Sequence, residues 1–183
     1  MAELDLLLRS YELQVSTPWR DGLSGSERIW FLVYSPSNER RLRHRLDEFA
    51  IATRDAKFGW KHIDITDAFP QWLASQRHAD GYFKRPDGLS EKRFVEAMAS
   101  RLRSTLESAT DRDVVAVSGA GSLFGLTPLA AVLKQVEEAI TGRLLVCFPG
   151  TYERDFHRYR LLGAGEGWSY LAAPILAQRE AIS

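Results

Sequence analysis

The sequence predicts an α/β fold in which a mainly parallel central sheet of about five strands carries helices on both faces. Short apolar segments alternate along the chain with longer segments of helical periodicity, which is the order that βαβ units produce. The short segments, such as Ile29–Tyr34 (IWFLVY), are apolar at nearly every position, as strands buried on both faces are. A length of 183 residues suits one domain, so residues 1–183 are predicted to form a single domain.

The first third of the chain predicts two helices around one strand. Residues 2–15 carry apolar side chains at helical spacing, and a loop rich in Pro, Gly and Ser leads from them to Ile29–Tyr34. A long helix should follow, with Asn38 at its N-cap and Gly59 just past its end. The apolar residues expected on its buried face are Leu42, Leu46, Phe49 and Ile51.

The middle of the chain predicts a second strand around His62 to Ile65, and Thr66 or Asp67 would cap a short helix after it. Residues 77–89 are polar and rich in turn formers, so we expect a loop or a small excursion there. Ser90 would cap the next helix. Its apolar stripe would consist of Phe94, Met98, Leu102 and Leu106.

The last third predicts a strand over residues 113–119, a helix over residues 123–140 and a strand over residues 142–150. The lone cysteine, Cys147, lies in that strand and reads as a buried apolar residue. Residues 151–168 are expected to be irregular or short-helical, and residues 169–176 to form a fifth strand.

A glycine-rich turn joins the third strand to its helix. In a parallel sheet this turn lies at the carboxyl edge, where ligands bind, and its N–H groups would approach a phosphate. If a nucleotide binds there, the cofactor-binding residues would be Ser118, Gly119, Gly121 and Ser122.

Two departures weaken that interpretation. The stretch from Ala120 to Thr127 (AGSLFGLT) has alanine in place of the first glycine of a Walker A motif, and Leu126 in place of its lysine. Phe124 stands where a dinucleotide-binding turn needs its third glycine. We therefore expect a Rossmann-like or P-loop-like fold without an intact Walker A motif, no cofactor and no enzymatic activity. A degenerate or regulatory anion site and a working NTPase remain the alternatives.

Other candidates for chemistry are weak. Asp64 and Asp67 would hold magnesium or, more commonly, cap the following helix. Ser118 is not in a G-x-S-x-G motif, and no acid–base partner for it follows from the sequence. The four histidines do not have metal-ligand spacing: His44, His62, His78 and His157.

Two charged segments suggest binding partners. The segment from Glu39 to Arg45 (ERRLRHR) would either contact DNA through Arg40, Arg41, His44 and Arg45 or form a solvated face paired with acids. Residues 152–160 mix tyrosine and arginine, which dominate protein interfaces and also stack on single-stranded bases. Because 24 basic residues balance 24 acidic ones, a protein partner is favoured over nucleic acid. The predicted contact residues are Leu123, Phe124, Tyr152, Arg154 and Tyr159.

The start of the chain is acidic and its apolar run is short, so neither a secretory signal nor a membrane span is predicted, and we expect a cytoplasmic protein.

Four stretches together resemble the BrxB family of bacterial BREX phage-defence systems: residues 28–46, 59–74, 114–133 and 142–175. The most specific of them contain the turn GAGSLFG, then FPGTY, YRLL and GWSYLAAPI.

This resemblance implies non-catalytic work. BrxB-like proteins accompany the alkaline-phosphatase-like protein PglZ, an adenine DNA methyltransferase and a large ATPase in systems that methylate host DNA and block phage replication. A small BrxB-like domain would be an assembly component that binds PglZ. The resemblance transfers no catalytic residues to this chain.

Overall fold

A computed structural model describes residues 2–77, 79–84, 91–165 and 167–178. Its strands are β1 (Ile29–Tyr34), β2 (Gly59–Asp64), β3 (Asp113–Ser118), β4 (Arg143–Glu153), β5 (Arg158–Leu161), β6 (Trp168–Ser169) and β7 (Ala173–Ile175). Its α-helices are α1 (Glu3–Ser16), α2 (Glu39–Asp55), α3 (Ala68–Ala74), α4 (Ala79–Lys84), α5 (Glu91–Glu107) and α6 (Leu129–Val136).

The sheet confirms the predicted α/β class. Its strands lie in the order β2-β3-β4-β1-β7, and every neighbouring pair along this path is parallel. β4 lies at the centre, where Val146 pairs with Phe31 of β1 on one side and with Val117 of β3 on the other. Such central strands are buried on both faces, which explains their uninterrupted apolar sequences.

Alternate strand residues build two cores. On one face of the sheet, Phe31 and Val146 belong to an apolar cluster that includes residues of α3, α5 and α6. On the other face, Leu32 and Cys147 belong to a cluster with α1 and α2. The predicted stripe of Phe94, Met98, Leu102 and Leu106 is buried in the first cluster, as expected for the inner face of α5.

The second half of β4 carries an antiparallel extension that the sequence did not predict. Residues 151–168 were expected to be irregular or short-helical. A 3₁₀ turn does occur at Arg154–Phe156, but β4 continues to Glu153 and pairs with β5, and β5 pairs with β6. Gly150 permits this pairing, since a Cβ there would lie 2.2 Å from the carbonyl oxygen of Arg160. The close approach of the two backbones depends on tertiary structure, so the apolar periodicity of the sequence could not predict it.

Several predicted helix boundaries and faces are corrected. Ile51 is 54 % exposed, because it lies two positions beyond the buried Phe49 and so points away from the core. The Asn38 side chain donates to Glu3 of α1 and does not cap α2. Gly59 is the first residue of β2, and Lys57, with a φ of 70°, takes the left-handed conformation after the helix.

The helix predicted from residue 123 begins later. A 3₁₀ turn, Ala120–Leu123, follows β3, and α6 starts only at Leu129. Gly125 adopts a φ of +75° and Pro128 disfavours a helical residue before it, so the chain cannot be helical between them. Residues 77–89, expected to be a loop or excursion, include α4, while the predicted cap Ser90 lies outside the described residues.

Candidate functional site

A cleft opens where the connections after β1 and β3 leave the sheet in opposite directions. β1 continues to α2 on one face, and β3 continues to α6 on the other, with the end of β4 between them. This divergence is where open α/β sheets bind ligands. The cleft has a volume of about 620 Å³, and its lining includes Arg40, Arg43, Thr66, Gly121, Ser122 and Leu162.

Arg43 of α2 is the centre of a hydrogen-bonded network in this cleft. Its guanidinium lies 3.1 Å from a carboxylate oxygen of Glu39 and 2.8 Å from one of Asp64, and it also donates to the Thr66 hydroxyl. Glu39 in turn accepts a hydrogen bond from the buried Tyr34. Two carboxylates therefore offset the charge of Arg43, which is already engaged before any ligand arrives.

Asp64 is an ion-pair partner rather than an acid or base. Partial burial would raise its pKa, but hydrogen bonds from the Thr66 amide (2.9 Å) and hydroxyl (2.6 Å), together with the charge of Arg43, lower the pKa below its ordinary value. Asp64 is thus ionised at neutral pH. Among the described residues, no group of three or more His, Cys, Asp and Glu side chains is arranged to hold a metal ion, and Asp67 does not complete one with Asp64.

Ser118 and His62 form a pair that the sequence did not indicate. The Ser118 hydroxyl lies 2.8 Å from Nε2 of His62. Loss of water contact lowers the pKa of His62, outweighing the opposing effect of Asp64, so the imidazole is neutral near pH 7. Ser118 is only 2 % exposed, however, so its hydroxyl is not an accessible nucleophile and does not line the cleft.

The glycine-rich turn reaches the cleft in part. Gly119, Gly121 and Ser122 line it, as the nucleotide-binding alternative requires, whereas Ser118 lies to one side. The Ser122 hydroxyl donates to the carbonyl oxygens of Gly119 (2.7 Å) and Ile65 (3.2 Å), so it holds the turn together. Two arginines line the cleft, Arg40 and Arg43. Arg43 is ion-paired, whereas Arg40 has no ion-pair partner among the described residues.

An apolar groove lies beside the cleft, and we call it the Phe124 groove. Its volume is about 440 Å³, and its apolar lining includes Phe124, Leu126, Pro128, Leu161 and Trp168. Phe124 is 47 % exposed and Leu126 is 38 % exposed. Large apolar side chains exposed together on a surface are typical of protein-binding sites.

The predicted contact residues divide between surface and core. Phe124 and Arg154 are exposed, and Tyr152 is half-buried with its hydroxyl 2.9 Å from Nδ1 of His157. Leu123 and Tyr159 were expected at the contact surface, but both are buried in the core, so neither contacts a partner from the surface of this fold. The 3₁₀ turn directs Leu123 inward and leaves its neighbour Phe124 outside.

Sequence reasoning missed Leu126 and Trp168 as groove residues, and Arg43 as the centre of the cleft. The sequence marks Leu126 only as the residue that replaces the lysine of a Walker A motif. The i, i+4 spacing from Glu39 was an available signal for the ion pair of Arg43. Arg45 was expected either to contact DNA or to be paired with acids, and it pairs with Asp5 (2.9 Å) and Glu48 (2.7 Å), as the second alternative predicts.

Comparison of the chain with protein-family models, with curated proteins and with solved structures finds no match. Among the helices of the described residues, none combines the length and the apolar character that crossing a membrane requires.

Proposed function

We propose that this chain is a non-catalytic docking subunit of a BREX-type phage-defence assembly, and that it binds a PglZ-like protein through the Phe124 groove. The observation that carries the proposal is the joint exposure of Phe124 and Leu126 in a concave apolar surface. Such surfaces supply the central apolar contacts of protein interfaces, while the polar rim gives direction. Tyr152 near the end of β4 and Arg154 in the turn that leads to β5 are suited to the rim, since Leu161 of β5 lines the groove.

The chemistry of the neighbouring cleft supports docking over catalysis. Arg43 is engaged by two carboxylates, and Leu126 stands where a phosphate-binding lysine would be. The buried Ser118 offers no accessible nucleophile. These features favour a surface that recognises a partner by shape and apolar contact. The identity of that partner rests on the sequence resemblance to BrxB-like proteins, and a cytoplasmic setting is part of the same proposal.

The test is co-purification of the full chain with a PglZ-like protein. Phe124→Ala combined with Leu126→Ala should weaken binding about tenfold or more, since buried aromatic anchors dominate interface energy. Leu13→Ala, a change of a 72 % exposed side chain on α1, is the matched control and should bind as the unmodified chain does. Full binding by the double variant, or equal loss in the control, would refute docking at this groove.

A nucleotide-binding regulatory switch is the second candidate, favoured by the position of the cleft at the point where the connections diverge and by Gly119, Gly121 and Arg40 in its lining. Nucleotide at 100 times its dissociation constant should stabilise the fold by about 2.7 kcal/mol. Arg40→Gln should reduce this stabilisation in a thermal shift with ATP or GTP and magnesium. An absent shift at millimolar nucleotide would remove this candidate. Direct DNA contact through α2 is a further alternative, and it requires an affinity that falls steeply with salt.

A further inference from the structure

The opposite edge of the sheet gathers arginines from distant parts of the chain. Parallel strands begin at one edge, so the residues that precede or start β1, β3 and β4 come together there: Arg28, Arg112 and Arg143. Phe58 precedes β2 at the same edge. This amino edge is remote from both the cleft and the Phe124 groove, which lie at the carboxyl edge.

The arginines are held by a stack of aromatic rings. Trp19 lies face to face on Phe58, with ring centroids 3.8 Å apart and planes 5° from parallel. The Arg143 guanidinium covers the Trp19 ring at 4.6 Å, and that of Arg112 covers Phe58 at 4.9 Å. Cation–π contact of this kind orients a guanidinium without neutralising its charge.

Carboxylates do not neutralise these arginines either. Within the described part of the chain, no carboxylate oxygen lies within 4.0 Å of Arg20, Arg28, Arg112 or Arg143. Arg28 donates to the carbonyls of Ile140 (2.8 Å) and Thr141 (3.0 Å), and Arg112 donates to that of Lys57 (3.1 Å).

Arg143 has the greatest need of compensating partners among the four arginines, because it is only 5 % exposed. It donates to the carbonyls of Gly142 (2.9 Å) and Arg20 (3.3 Å). Burial lowers its pKa, and the like charge of Arg28 lowers it further, while Asp21 partly opposes both. A buried cation whose hydrogen-bond acceptors are all neutral carbonyls gains from a nearby anion.

These arginines line a cavity of about 600 Å³, together with Asp21 and Asp111. Four arginines, Arg20, Arg28, Arg112 and Arg143, against two aspartates leave a formal charge of +2 around it. Bonding to loop carbonyls gives the arginines a structural role, but it uses few of the five N–H donors of each guanidinium. Among the described residues, Nε of Arg160 is the one fully buried side-chain nitrogen or oxygen without a hydrogen-bond partner. No nitrogen of Arg143 is in that position, so its remaining donors are accessible from the cavity.

We propose that this amino-edge cavity binds a phosphate group, presented either by a small phosphate compound or by the backbone of a nucleic acid. The fork of a guanidinium matches phosphate oxygens in a bidentate manner. A phosphate monoester carries close to two negative charges at neutral pH, which matches the formal charge of the cavity. The site is independent of docking at the Phe124 groove.

The test is titration of the full chain with inorganic phosphate at constant ionic strength, followed by calorimetry and by thermal shift against chloride. The unmodified chain should bind phosphate saturably. Arg20→Gln combined with Arg112→Gln, two exposed positions, should weaken the phosphate Kd about tenfold or more. Arg9→Gln combined with Lys92→Gln removes the same charge at exposed positions outside the cleft, the Phe124 groove and the amino edge, and should bind phosphate as the unmodified chain does.

The source of the phosphate is distinguished by two further probes, AMP and a single-stranded oligonucleotide. Tighter binding of AMP than of the oligonucleotide identifies a small phosphate compound, and the reverse order, with a steep salt dependence, identifies nucleic acid. Absence of saturable phosphate binding, or loss of binding in the Arg9 and Lys92 variant with retention in the Arg20 and Arg112 variant, would overturn the proposal.

Discussion

Gly119 shows how a single position is determined by backbone geometry. It adopts a φ of +87°, and a Cβ there would lie 2.4 Å from the Thr66 hydroxyl oxygen and 2.6 Å from the Thr66 nitrogen. The Thr66 hydroxyl also accepts from Arg43 and donates to Asp64, so it has little freedom to withdraw. A glycine is required here for conformation and for space, whether or not a ligand binds at the turn.

Replacing Gly119 by alanine should lower the free energy of unfolding by about 2–3 kcal/mol, because the left-handed conformation and the clash with Thr66 both oppose a side chain. Gly125→Ala is the matched control. Gly125 has a φ of +75° but no atom within 4 Å of an added Cβ, so its substitution should cost about 1 kcal/mol. Urea denaturation measures both values, and equal losses would show that the contact with Thr66 is unimportant.

At the scale of elements, Tyr159 packs the β5–β6 hairpin onto the main sheet, in addition to the pairing of β5 with β4. The Tyr159 ring lies 4.5 Å from that of Phe31 in β1 and 5.8 Å from that of Trp168 in β6. Its hydroxyl donates to the carbonyl of Ala172, just before β7, at 2.5 Å. Burial raises the pKa of Tyr159 above its ordinary value, so the hydroxyl remains a donor. The residue predicted as a partner contact therefore joins the hairpin to the edge strand.

Tyr159→Phe should lower the free energy of unfolding by about 1–2 kcal/mol, because the buried carbonyl of Ala172 loses its donor while the ring packing is kept. Tyr152→Phe removes a hydroxyl near the end of β4, whose hydrogen-bond partner in the described structure is the exposed His157. That control should change stability by less than about 0.5 kcal/mol. Urea denaturation measures the free energy of unfolding of both variants. Equal losses would contradict a stabilising hydrogen bond from Tyr159 to Ala172.

For the molecule as a whole, Cys147 reports on the integrity of the sheet. It lies in the central strand β4 and is fully buried. Burial is the main cause that raises the pKa of its thiol to about 12. The thiolate, which is the reactive form, is therefore scarce as well as inaccessible while the sheet is intact.

Native protein should react with iodoacetamide only through opening of the central sheet, so its labelling should be slower by orders of magnitude than that of urea-unfolded protein. The labelling rate, measured by mass spectrometry over increasing urea, should follow the global unfolding transition. Because the chain has a single cysteine, each modification reports on this one position. Rapid stoichiometric labelling without denaturant would contradict a closed sheet around β4.

The sequence by itself determined the class of the fold and most of its strands. Burial on both faces makes β1 and the middle of β3 and of β4 continuously apolar, and the inner face of α5 repeats at helical spacing, so both signals are local. The glycine-rich turn, and the absence of a Walker A lysine from it, could also be recognised in the sequence alone. Predictions failed where a residue is determined by a distant neighbour, as with Asn38 bound to Glu3 of α1.

Only the tertiary structure decided the strand order and the antiparallel hairpin. It also decided which residues line the Phe124 groove and which line the amino-edge cavity. Leu123 and Phe124 are adjacent in sequence, yet one is in the core and the other is at the groove. Arg28 and Arg143 lie far apart along the chain and meet only because parallel strands begin at one edge. The physical reason is that apolar periodicity records which side of an element is buried, whereas non-local strand pairing decides what that side is buried against.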